Sequence, residues 1–142
     1  MEFKDEINVK GHLKIYKNGN LIVDKDNLIV NTGLTLIASR LNSNTNNIIS
    51  HLAIGNDNTT PSKTQTTLIS EQFRKAITST TYSGWVVTFI TNIDYNEANF
   101  VWKELGLFNA SSSGIMLNRV VVNFTKTVND YATVEFDITF SS

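Results

Sequence analysis

The chain has 142 residues, a formal charge of −1 and no cysteine. This length suits one domain around one core, the near-neutral charge supplies no basic face to displace counterions from nucleic acid, and the lack of thiols removes disulfides and cysteine-based metal sites together. Asn occurs 18 times, Thr 17 and Ser 12 against a single Pro, which favours sheets and turns over a helical bundle.

The first residues, Met1-Glu2-Phe3-Lys4-Asp5-Glu6, are charged and lack the apolar run of a signal peptide. No later stretch approaches the roughly 20 apolar residues of a membrane span. Residues 7–17 alternate, with Leu13 and Ile15 opposite His12, Lys14 and Tyr16, and Asn18-Gly19 then predicts a type I′ hairpin turn into a second strand from Leu21. Asp26-Asn27 interrupts that strand and Leu28-Ile29-Val30 resumes it. The period then changes: Leu34, Ile37, Ala38 and Leu41 fall at helical spacing, Asn31 or Thr32 can cap the first turn, and Arg40 suits the last. One short helix is expected over residues 32–41, with those four side chains against a sheet.

Residues 43–47 have the composition of a loop, 48–54 read as a short strand, and 55–62 as a second polar loop. The run 66–73 is ambiguous between a helical turn and an irregular approach to a strand. Residues 76–82 and 85–93 read as strands paired around Ser83-Gly84, with Trp85, Val87 and Phe89 on one face. Residues 100–108 form a strand carrying Phe100, Trp102, Glu104 and Phe108 on one side, and 115–124 return after Ser111-Ser112-Ser113-Gly114. The last strand, residues 131–140, alternates cleanly: Ala132, Val134, Phe136, Ile138 and Phe140 form its apolar face. About eight strands and one helix predict a mostly β chain: a single domain, residues 1–142, built as an antiparallel two-sheet β-sandwich or a flattened barrel.

Little here resembles a catalytic centre. His12 and His51 have no partner histidine at a ligand spacing, and the sequence lacks a nucleophile elbow, a phosphate-binding loop and a zinc-protease motif. Asp24, Asp26 and Asn27, or Asn56, Asp57 and Asn58, could offer oxygens to Ca²⁺, but neither has the spacing of an EF-hand and both are ordinary turn chemistry. Trp85 and Trp102 fall on apolar strand faces and are assigned to the core. No catalytic, metal-binding or cofactor-binding residue is therefore assigned. Glu104 stands apart, because a carboxylate on an aromatic strand face must be paired or neutral. A structural ion pair is expected, with Arg74 the first partner and Arg119 the second; Arg40 is a further candidate.

Several segments occur in a recognisable order: Asn27-Leu28-Ile29-Val30-Asn31-Thr32-Gly33-Leu34, His51-Leu52-Ala53-Ile54-Gly55, Thr66-Thr67-Leu68 with Glu71 and Arg74, Glu104-Leu105-Gly106-Leu107-Phe108-Asn109, Arg119, and Thr125-Lys126-Thr127. In this order they resemble a family of small tail and baseplate-associated structural proteins of tailed bacteriophages, tail-fibre and adhesion-apparatus modules included. The resemblance implies a non-enzymatic virion component, made in the host cytoplasm, that docks on other virion structural proteins and forms a homo-oligomer, a trimer by analogy with fibres. No cofactor is expected, and the near-neutral charge predicts no nucleic-acid partner. Without a repetitive shaft or a receptor-binding domain, the chain fits a tail, collar or baseplate connector or decoration role. The alternative is a carbohydrate-binding β-sandwich module contacting a host surface glycan, and a small hydrolase is a third possibility. Exposed aromatics in a shallow groove would favour the glycan reading, and a pocket of converging titratable groups the hydrolase.

Overall fold

The computed structural model describes residues 6–42 and 48–142. Nine strands and one helix follow one another as β1 (Asn8–Lys17), β2 (Asn20–Ile29), α1 (Asn31–Leu41), β3 (His51–Gly55), β4 (Glu71–Ala76), β5 (Ser79–Ser83), β6 (Val86–Ile93), β7 (Val101–Phe108), β8 (Asn118–Thr125) and β9 (Ala132–Ser141). Their order in space is β4-β3-β7-β8-β2-β1-β9-β6-β5, with antiparallel pairing throughout. The sheet curls into a half-barrel.

Turn chemistry sets the hairpins. Asn18 and Gly19 both have positive φ, as a type I′ turn requires, and join β1 to β2. Gly84 has φ +57° at the first central position of the two-residue turn between β5 and β6. The main core contains Leu13, Ile15, Phe89, Trp102, Phe136 and Ile138, drawn from four strands. A smaller cluster of Val30, Ala53, Leu68, Phe108 and Met116 lies apart from it.

Of the two architectures expected, the two-sheet sandwich is replaced by one continuous sheet whose curl lies nearer the barrel alternative, and β2 is the reason. From Asn20 to Asn27 it pairs with β1, after which Leu28 and Ile29 pair with Arg119 and Asn118 of β8. The interruption at Asp26-Asn27 thus marks a change of partner. At that point the Asn27 side chain packs on Gly11, where any Cβ would collide with it.

The helix occupies its expected place, but of the four side chains expected to pack only Ile37 reaches the main core, and the buried face is shifted. Gly33 and Leu36 face inward, while Leu34 and Leu41 are 49% and 88% exposed and Ala38 is exposed. Gly33 allows the helix to approach closely, since a Cβ there would overlap the Leu117 carbonyl. No side chain caps its first turn: Val30 occupies the N-cap, and Thr32 donates instead to the Met116 carbonyl at 2.8 Å.

Three further expectations change. Trp85 lies in a turn and is 70% exposed, whereas Trp102 is fully buried. Residues 66–70 take the irregular approach to a strand, one of the two alternatives expected, whereas of the single strand expected over 76–82 only Ala76 belongs to β4 and the rest begins again at Ser79 in β5. A bulge between Trp102 and Glu104 reverses alternation within β7, so Trp102 joins the main core with Leu105 and Leu107 while Phe108 belongs to the smaller cluster. The loop expected at residues 43–47 lies outside the described residues. No described helix is long and apolar enough to cross a membrane.

Candidate functional site: a buried ion pair beneath a polar loop

Glu104 and Arg119 are both fully buried, on the neighbouring strands β7 and β8, with Arg119 Nε donating to Glu104 Oε1 at 3.1 Å. One ion pair would leave most of their hydrogen-bonding capacity unused. The loop 56–70 supplies the remainder: Ile69 N–H donates to Oε1 at 2.9 Å, while Ser70 N–H and Asp57 N–H donate to Oε2 at 2.8 and 3.3 Å. From the other side, Arg119 donates to the carbonyls of Thr59 at 2.6 Å and Asp57 at 3.3 Å, and to Gln65 Oε1 at 3.4 Å. Two buried charges are thereby neutralised by each other and by loop backbone, the condition under which burial is tolerated.

The surrounding residues make room for this clasp. Gly55 lies beside Glu104, and a Cβ would strike both that carboxylate and the Ser70 carbonyl. Gly106 sits 2.7 Å, at its would-be Cβ, from the Asn118 carbonyl. Asn118 is itself fully buried, accepting from Leu107 N–H at 2.9 Å and donating to Asn27 at 3.0 Å. At the loop surface, Asp57 accepts from Thr59 N–H at 2.7 Å; this bonding to Thr59 holds its carboxyl below the usual range.

Arg74, the first partner expected for Glu104, engages elsewhere. It forms a two-pronged pair with Glu71 at 2.6 and 3.0 Å, donates to the Ala110 and Ser113 carbonyls, and lies 4.0 Å above the Phe108 ring. Arg40 is exposed on α1. His51 is held by Ser50 at 2.7 Å, and burial, with Arg74 nearby, lowers its pKa.

Residues 25–138 match the family model described as phage tail-collar fibre protein, N-terminal. The chain belongs to this family. It is a structural family of the phage tail. No curated protein and no solved structure matches the chain. Within the tail-collar fibre match, the clasp joins segments far apart in sequence: Gly55, the loop 56–70, Glu104 and Arg119.

Sequence reasoning passed over two features of this tail-collar fibre chain. Lys126 is 2% exposed and donates to Asn99 Oδ1 at 2.8 Å and the Tyr95 carbonyl at 3.4 Å, tying down the loop 94–99; burial pushes its pKa down, opposed by Asp130, Glu97 and Asp94. Its signal was available, because Val120, Val122, Phe124 and Lys126 share a strand parity. His12 lies between Asp24 and Asp26, with Nδ1 2.7 Å from Asp26. That contact follows from the pairing of β1 with β2, which brings His12 opposite Asp26. Among the described residues, no group of three or more His, Cys, Asp or Glu is placed to hold a metal ion.

Proposed function

We propose that residues 1–142 act as one non-enzymatic module that connects or decorates the collar or baseplate end of a phage tail, in several copies and docked on other virion structural proteins. The family match over residues 25–138 carries this reading. The clasp supports it: its buried charges are committed to fixing the loop 56–70, leaving a rigid surface rather than a reactive group. Glu104 and Arg119 are read as a structural pair. The protein is assembled into the particle after synthesis in the host cytoplasm.

The glycan-binding alternative draws on Tyr82 and Trp85, which are 81% and 70% exposed. It is the weaker reading, because the hollow beside Trp85 is lined by Ile7, Phe140, Ser141 and Ser142 and lacks the amides and carboxylates that fix a sugar's orientation. The test is a phage carrying a nonsense mutation in this gene, grown without suppression. Electron microscopy is expected to reveal particles with incomplete collars, baseplates or fibres; complete and infectious particles would overturn the proposal.

A further inference from the structure

Lys126 is a buried titratable group that the clasp does not use. It stands directly after β8, and Asn99 stands two residues before β7. The Lys126 N–H donates to the Phe100 carbonyl at 3.2 Å, which carries the β7–β8 ladder on to this point, so the two side chains meet at the open end of the hairpin. A buried ammonium ordinarily takes a carboxylate as its partner. Lys126 Nζ instead faces three neutral oxygens: Asn99 Oδ1 at 2.8 Å and the Tyr95 and Thr127 carbonyls at 3.4 and 3.5 Å. The other end of the Asn99 amide is also held, with Nδ2 donating to the Tyr95 carbonyl at 2.9 Å.

We propose that Lys126 and Asn99 react to form an intramolecular isopeptide bond that locks the open end of the β7–β8 hairpin. The Nζ lone pair of the neutral amine attacks Asn99 Cγ, an Nζ–Cγ bond forms, the Cγ–Nδ2 bond breaks, and one proton passes from Nζ to Nδ2, which leaves as ammonia. The step consumes no oxidant and no second molecule. Three observations support it. The amine and the amide are held in contact, which replaces an encounter in solution. Burial lowers the Lys126 pKa and so favours the nucleophilic form, while Asp130, Glu97 and Asp94 are close enough to oppose that shift and are the groups available to relay the proton. Asn99 is exposed although Lys126 is not, which gives the ammonia a way out. The chain has no cysteine, and this amide would restrain the unfolded chain as a disulfide does elsewhere.

Intact mass spectrometry of the purified full chain in denaturant reads the reaction directly. The wild type is expected about 17 Da below the mass of its sequence, the loss of one ammonia, and Lys126→Arg and Asn99→Ala at their full sequence masses. Trypsin does not cut after an acylated lysine, so digestion of the wild type is expected to yield residues 76–103, which contain Asn99, joined to residues 120–142, which contain Lys126. A wild type at full mass, a digest in which these peptides separate, or a loss of ammonia that persists in Lys126→Arg would overturn the cross-link. The digest needs no variant, so the proposal stays testable even where a substitution unfolds the chain. None of these results bears on whether the protein is a virion component, which the nonsense mutant tests separately.

Discussion

Removing the Glu104 carboxylate would strand the fully buried Arg119 guanidinium and leave the N–H groups of Ile69 and Ser70 without that acceptor. Glu104→Ala is therefore expected to lower the unfolding free energy by about 3 kcal/mol or more, the usual cost of breaking a buried pair from one side. Arg119→Ala should be comparable, and the double variant should cost less than the sum of the two. Urea unfolding measures all three; additive losses would contradict the coupling. A second prediction concerns pH. Hydrogen bonds from His12 to Asp24 and then Asp26 raise the His12 pKa above 6.5, against a smaller opposing effect of burial; Lys10, Lys14, Glu135 and Asp137 are the other charged groups of this outer face. A raised pKa means that the stabilisation is complete below the unfolded value and is lost as pH rises through the folded one. The urea midpoint should accordingly fall on the alkaline side of 6.5, and His12→Gln should flatten that fall; an unchanged slope would contradict the assignment. Burial, followed by its bond to Asp137, raises Glu135 as well, so its contribution is complete below 4.5 and fades as pH increases above it.

The helix gives the clearest contrast between propensity and packing. In an exposed helix, replacing Gly33 by Ala would gain about 1 kcal/mol; here the new methyl meets the Leu117 backbone, and a loss of about 1–3 kcal/mol is expected instead. Leu36→Ala, at a 2% exposed position, should cost about 2–5 kcal/mol. Leu41→Ala, at an 88% exposed position, should stay within about 0.5 kcal/mol of wild type. Thermal denaturation decides, and equal losses at Leu36 and Leu41 would contradict the observed face. Helical spacing made the existence of α1 legible, but Leu34, Ile37, Ala38 and Leu41 formed the more apolar stripe in sequence, and only tertiary contact selects the narrower face built around Gly33. The Asn18-Gly19 hairpin and β9 were readable because turn geometry and strict alternation are local. The bulge in β7 was not, because it appears only in the register with β8.

At the scale of the molecule, the need to neutralise Glu104 could be inferred from one strand, but its partner could not. Arg74 ranked ahead of Arg119 from sequence, and strand order reverses the ranking by placing β8 beside β7 and Glu71 beside Arg74. The same absence of long-range information made two sheets of what is one, since β2 changes partner without interrupting the chain. The order of short segments was the readable part of function, and the family match over residues 25–138 rests on the same stretch of chain. This tail-collar fibre family member is proposed to work as a rigid part of the assembled tail. Quantitative mass spectrometry of purified particles tests it most directly: peptides of this chain are expected in the virion at a fixed ratio to the tail proteins. Their absence from particles, with the protein abundant in the infected host cell, would contradict it.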